Sequence, residues 1–409
     1  MHHASLPREP GLEGRTVLQV LPALDGGRVA RHVLAIAIAL SRVGARPLVA
    51  GEKGPLIGDL QAAGGEWIPL DARTLNPARL MRNAATLSAL IGREKVDLIH
   101  VHANGPAWSA HAATRLARRP FVTSFHLSPD ATRRTPPLAR WALGRGDAVL
   151  VPSAYLAGRV GAVHGIEAAR LAVISPGFDL SGFDPLRVPR EASVGFRLAA
   201  GLTDAQPGRV VLHQARLEPA KGQMVLIDAV RLLVNGGLTD TVFVIACEGP
   251  ERGGYRAELV RRIEAQGLGD IVRLVGAGDC GPGALASADL AVVASLEPEP
   301  IGRNAIEAMA MGLPAIVSDD GALAEIVPAA PEAGEAERVG FRVRAGDALA
   351  LAEGLGAALS LSAAEREAMA DRARAHARRF SRDRMQLDVL AVYRGLLNPA
   401  GRAKIVANH

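Results

Sequence analysis

The sequence predicts an α/β protein of two doubly wound parallel-sheet domains. Three observations predict it. Short apolar runs alternate with helical stretches through both halves of the 409 residues. Aromatic residues make up only 3% while Gly numbers 44, and small residues suit close helix–sheet layers. The segment S-G-F-D-P-L-R-V-P-R, residues 181–190, reads as a linker between the halves.

The elements follow in order. In the first half, strands are expected at Thr16–Leu21, Arg46–Ala50, Trp67–Pro69, Asp97–Val101, Phe121–Phe125 and Ala148–Val151, apolar runs of strand length. Helices are expected between them at Val29–Ser41, Leu56–Ala63, Asn76–Gly92 and Gly105–Leu116. In the second half, strands are expected at Arg209–Gln214, Thr241–Ala246, Val272–Val275, Leu290–Ala294 and Ala315–Val317. The helices there are Gly222–Val234, Tyr255–Ala265, Ile301–Met311 and Ala345–Ser360. Ligands of such sheets bind at the carboxyl ends of the strands, and every candidate residue below lies at such an end.

Composition narrows the function. The chain is 49% hydrophobic and 22% charged, a globular balance. Cys247 and Cys280 give neither a disulfide framework nor a zinc spacing and fit a reducing, cytoplasmic compartment. No apolar run of spanning length stands out; Val29–Leu40 is too short and reads as a buried helix. Met1–Gly14 lacks the apolar core of a signal peptide, which argues against export. Charge is uneven. Residues 1–185 with 380–409 hold 26 basic and 16 acidic residues, a net +10, while 186–379 hold 21 and 26, a net −5. The basic half includes Arg115, Arg118, Arg119, Arg133, Arg134, Arg140 and Arg145. Nucleic acid is a poor partner for it, because stacking aromatics are scarce. An anionic lipid surface or an anionic glycolipid fits better, and a solvated arginine-rich face is the plain alternative.

The most informative segment is S-L-E-P-E-P-I-G-R-N-A-I-E-A-M-A-M-G-L-P-A-I-V-S-D, residues 295–319. It joins a strand to a helix through an acidic, Pro-rich loop and closes on a second strand. The helix start suits a phosphate. Glu299 and Glu307 are placed to hold a sugar on one side and a ribose on the other; alone, such a pair also fits solvated charges. In H-Q-A-R-L-E-P-A-K-G-Q, Arg216 and Lys221 follow a strand. Arg offers a bidentate fork and Lys a point charge for a diphosphate; two exposed cations, or a pair with Glu218, is the alternative. D-G-G-R-V-A-R-H, residues 25–32, joins the first strand to the first helix. Its Gly26 and Gly27 permit close approach of an anion or form an ordinary tight turn. His126 ends a strand in P-F-V-T-S-F-H. His100 and His102 share a strand face, but no third ligand is evident, so no metal is expected.

E-P-x-G-R-x-x-x-E-A-M-A-x-G-x-P, residues 299–314, resembles the E-x7-E motif of the retaining glycosyltransferases of family 4, which have the GT-B fold. R-L-x-x-x-K-G, P-F-V-T-S-F-H at 120–126 (similar to the family's T-x-H), A-V-I-S-P-G-F-D…F-D-P at 172–185 and E-G-P-E-R-G-G-Y-R-A-E-L at 248–259 extend the resemblance over nearly the whole chain. Several segments look like bacterial lipopolysaccharide-type members. The resemblance implies two Rossmann-like domains facing a cleft, with the C-terminal helix crossing back to the first. The acceptor domain would be 1–185, completed by 380–409, and the nucleotide-sugar domain 186–379. It implies a metal-independent, hexosyltransferase-type enzyme without cofactor, taking a nucleotide-diphospho-sugar. Arg216, Lys221, Gly302, Arg303 and Glu307 would bind the donor with Gly26 and Gly27, Glu307 at the ribose. Glu299 and His126 would act at the sugar. The acceptor would be a glycan or glycolipid, in the cytoplasm or on the inner face of its membrane. Arg28, Ala30, Leu127, Pro176 and Ile301 depart from the family pattern, which leaves acceptor recognition open. A catalytically degenerate binding protein and a nucleotide-sugar epimerase are the rival readings.

Overall fold

A computed structural model describes residues 11–126, 141–202, 208–249, 254–276 and 280–398. The chain divides into two compact units, Met1–Gly177 with Arg382–His409, and Phe178–Ser381. The division falls at Gly177, ahead of the Pro-rich stretch at 181–190. Phe178 already belongs to the second unit, because its N–H donates to the Phe380 carbonyl at 2.8 Å.

The first unit holds strands β1 (Thr16–Ala23), β2 (Arg46–Glu52), β3 (Glu66–Pro69), β4 (Leu98–Val101), β5 (Phe121–Ser124), β6 (Ala148–Val151) and β7 (Leu171–Val173). They form one parallel sheet in the order β3-β2-β1-β4-β5-β6-β7. Alternate residues of β1 feed opposite cores, as the two-residue side-chain period requires. Leu18 and Val20 pack with Leu87, Leu90 and Ala110 on one face. Val17 packs with Ile36, Leu40 and Tyr393 on the other. Burial on both faces explains why β1 and β4 are nearly continuous apolar runs.

The second unit repeats the plan. Strands β8 (Arg209–Ala215), β9 (Thr241–Cys247), β10 (Val272–Val275), β11 (Leu290–Val293), β12 (Ala315–Ser318) and β13 (Gly340–Val343) lie parallel in the order β10-β9-β8-β11-β12-β13. Both sheets therefore reverse direction beside their first strand, at β1/β4 and at β8/β11. Such a switch point opens a crevice above the strand carboxyl ends.

The terminal helix Arg382–Leu397 belongs to the first unit, as expected. Tyr393 is fully buried there, and Gln386 Nε2 donates to the Ala35 carbonyl at 2.6 Å. Two edge strands, β7 and β13, were not anticipated. They are three and four residues long, too short for an alternation pattern to show. The helix expected to open at Ile301 opens at Arg303, because Gly302 caps it in the left-handed conformation with φ +65°.

Candidate functional site

In the second unit the candidate residues converge on the carboxyl ends of β8 and β11. β8 runs into Arg216, and a short turn at Pro219–Lys221 follows. Gly222, at φ +73°, then starts the helix Gln223–Asn235. A β-carbon on Gly222 would overlap the Ala294 carbonyl, so only glycine lets this turn lie against the end of β11. The turn is tied down by Leu296, whose N–H donates to the Ala220 carbonyl at 2.8 Å. Gln223 Nε2 donates to the Arg216 carbonyl at 2.8 Å. Asn304 Nδ2 donates to the Gln214 carbonyl at 2.5 Å, joining the helix Arg303–Ala310 to β8.

This scaffold places charged pairs rather than bare charges. Lys221 Nζ lies 2.5 Å from Glu299 Oε1, both largely shielded from water. The Ser295 hydroxyl donates to the same carboxylate oxygen at 2.5 Å. Arg303 Nε donates to Glu307 Oε1 at 2.6 Å, one helical turn along. Glu307 is 2% exposed. Burial raises its carboxyl above the ordinary range, and the Arg303 charge opposes that rise. Arg216 is the most open of the set and pairs with Glu218 at 2.9 Å. The array can offer two cations to an anion while two carboxylates accept hydroxyl hydrogen bonds. Gly302 caps the helix whose first-turn N–H groups extend the positive end.

Reading the sequence missed His213, Ser295 and Asn304. His213 lies within β8 and is buried, its Nδ1 donating to the Val292 carbonyl at 2.9 Å. Strand alternation marks it as inward, but nothing local marks it as lying near Lys221 and Glu299, whose charges act on it.

In the first unit, Gly26 has φ +82° and Gly27 caps the helix Arg28–Arg42. The Gly27 N–H donates to Asp25 Oδ1 at 3.0 Å, so the loop carries its own anion partner. His126 follows β5, and burial drives its imidazole down to about 3, with the His32 and Arg28 charges adding to the shift. His102 follows β4 and lies stacked on His126, ring centres 5.7 Å apart. No third ligand is evident in the sequence beside the His100/His102 pair; in the structure His32, from the first helix, and His126 both come close to His102. His100 is spent structurally, with Nδ1 2.6 Å from the Tyr393 hydroxyl and Nε2 2.7 Å from Ser124 Oγ. Leu127, Arg133, Arg134 and Arg140 lie outside the described residues, as does part of the loop at 248–259.

Two parallel sheets of this strand order in one chain have the GT-B architecture. HepE from Anabaena, solved in complex with UDP, superposes with a TM-score of 0.71 over 92% of this chain and 99% of its own, at 24% identity. The family model described as Glycosyltransferase Family 4 matches residues 26–181, and that of Glycosyl transferases group 1 matches 201–376. Each half of the chain thus matches a glycosyltransferase family model. A D-inositol 3-phosphate glycosyltransferase from Salinispora tropica is 35% identical over 55% of this chain and 46% of its own length. The chain thus spans about half the length of that relative. The phosphatidyl-myo-inositol mannosyltransferase of Mycobacterium leprae is 28% identical over 81% of this chain and 84% of its own.

Proposed function

We propose that the chain is a retaining glycosyltransferase that moves a sugar from a nucleotide-diphospho-sugar to a glycan or glycolipid acceptor, in cell-envelope polysaccharide or lipopolysaccharide synthesis. The observation that carries it is the array of Arg216, Lys221, Glu299, Arg303 and Glu307 about the β8/β11 switch point. Glu307 accepts from the ribose hydroxyls. Arg216, Lys221 and the helix capped by Gly302 stabilise the charge that develops on the departing diphosphate. Preorganised groups of this kind are often the largest catalytic term, and they make a metal unnecessary for departure. Glu299, held by Lys221 and Ser295, accepts from the sugar. His126 keeps the polar contact to the sugar that the family motif implies. The UDP held by HepE supports the diphosphate leaving group, and the name of the Mycobacterium leprae relative supports a lipid-linked acceptor. The net +10 of the first half supports an anionic acceptor or membrane surface.

The test is transfer and donor hydrolysis with a panel of nucleotide sugars. Release of nucleoside diphosphate dependent on Lys221 supports the reading; no release from any donor removes it. A binding protein without transfer is the second reading. It is favoured by the carboxylate partners the clamp cations already have, Glu218 on Arg216 and Glu299 on Lys221. Tight nucleotide binding without release would select it.

A further inference from the structure

Four histidine rings crowd one place in the first unit. His32 lies 5.2 Å from His126 and 5.7 Å from His102, ring centre to ring centre. His100 lies 3.9 Å from His102. One ring nitrogen each of His32, His102 and His126 lies within 4.8 Å of the others.

The hydrogen bonds fix which nitrogens are free. His32 Nδ1 meets the Pro176 carbonyl at 3.0 Å. A carbonyl only accepts, so Nδ1 carries the proton and Nε2 holds the lone pair. Gln19 Nε2 donates to the Val33 carbonyl at 3.1 Å, which orients the amide and leaves Oε1 as acceptor. His102 Nε2 lies 3.1 Å from that oxygen, so it donates, and Nδ1 holds the lone pair. His102 Nδ1 and His126 Nε2 are buried without a hydrogen-bond partner among the described residues. His102 itself is 1% exposed. An unpaired buried polar atom is unfavourable, and His102 and His126 each hold one. His100 is not part of the set, since Tyr393 and Ser124 use both of its nitrogens.

We propose that His32, His102 and His126 form a binding site for a divalent transition metal of the zinc class. Bonds of about 2.0–2.1 Å to a tetrahedral zinc place imidazole nitrogens about 3.3 Å apart, within ring rotation of the observed separations. Three histidines with a fourth position open is the donor set of zinc sites that bind water or a further ligand. A small cavity of about 20 Å³ is lined by His32, His126 and Ser124. The outer partners are the usual ones: a backbone carbonyl on His32 and a fixed amide on His102, each setting tautomer and ring orientation. An all-nitrogen set discriminates against magnesium and calcium, which take oxygen. The ligands come from the first helix and the ends of β4 and β5, elements that hold their positions without the ion.

The site goes beyond the proposed function, with one consequence that rests on it. A metal on His126 takes the nitrogen meant for the sugar, so zinc opposes transfer.

The test is titration of the metal-stripped full chain with Co²⁺, read by its visible absorption, and with Zn²⁺ by competition against a chromophoric chelator. One tight equivalent per chain is expected, unaffected by excess Mg²⁺ and retained when His2 and His3 are both replaced by alanine. His32→Asn and His126→Asn should each abolish the tight equivalent while near-native thermal unfolding is kept. Gln19→Met should weaken it about 10–100-fold, as outer partners do. These variants avoid reliance on His102→Asn, which is buried and can fail to fold. A wild-type chain without a tight equivalent overturns the site, as does one that survives in both His32→Asn and His126→Asn. Zinc inhibition of transfer, reversed by EDTA, supports both the site and the sugar contact. A tight equivalent without inhibition keeps the site and removes His126 from the sugar.

Discussion

At the residue scale, the donor array is a set of ion pairs that a nucleotide must re-partner. Lys221 leaves Glu299, and Arg216 leaves Glu218, only if the diphosphate offers more charge than the carboxylates. Lys221→Ala and Arg216→Ala should therefore each weaken nucleoside diphosphate binding about tenfold or more, the worth of a charge-assisted hydrogen bond. Binding of the nucleoside alone should be unchanged, and calorimetry of both ligands checks this. Glu307→Gln should cost nucleoside affinity, while Glu299→Gln should cost turnover more than nucleotide binding. Equal nucleoside losses in both would contradict the assignment. Glu307 also has a stability signature. Its folded pKa is raised by burial above the unfolded value of about 4.3. Its contribution is therefore full below that unfolded value and is lost as pH rises through the folded one. Glu307→Gln should gain thermal stability relative to wild type as pH is raised from acid to neutral, even as it loses affinity. A variant less stable at neutral than at acid pH, relative to wild type, would refute the burial cost.

At the scale of elements, the terminal helix Arg382–Leu397 is locked to the first sheet by a buried polar contact. Tyr393→Phe removes the hydroxyl from His100 Nδ1 and leaves a buried nitrogen unpaired. A loss of about 1–3 kcal/mol is expected in chemical denaturation; an unchanged midpoint would show that the helix is held by apolar contacts alone. Most elements were legible because the sheet is buried on both faces. The strands Ala148–Val151 and Val272–Val275 and the helix Tyr255–Ala265 have the bounds the sequence predicts. Shifts arose where glycine conformation overrode pattern, as at Gly302. The donor residues were legible because each lies in one local strand-to-helix segment. The three-histidine cluster was not, because positions 32, 102 and 126 meet only through the β1/β4/β5 order of the sheet. His32 sits in the quoted D-G-G-R-V-A-R-H, but a histidine early in a helix carries no local mark of a long-range partner.

At the scale of the whole molecule, charge and chemistry divide along the chain. No single helix among the described residues is long and apolar enough to cross a membrane. The net +10 half should bring the protein to anionic vesicles, with binding that weakens with salt, since screening acts over about 8–10 Å at ordinary ionic strength. Arg115, Arg118 and Arg119 are exposed beside Leu116, which is 76% exposed. Reversing charge at Arg115 and Arg119, and separately at Arg133, Arg134 and Arg140, should reduce vesicle co-sedimentation; binding indifferent to both sets would defeat the membrane claim. Transfer should persist in excess EDTA, because the cations of the second unit replace a metal at the diphosphate. Activity lost in EDTA and restored by magnesium would refute that part of the mechanism. The central claim is that the second unit is a nucleoside diphosphate site built on Lys221 and Arg216. Its most direct measurement is thermal unfolding with UDP, GDP, ADP and CMP in EDTA, on wild type, Lys221→Ala and Arg216→Ala. The account predicts that at least one diphosphate stabilises the wild type, by about 2.7 kcal/mol at a hundred times its Kd, and that each variant loses most of that gain. No stabilisation by any nucleoside diphosphate, or stabilisation that both variants retain in full, would contradict it.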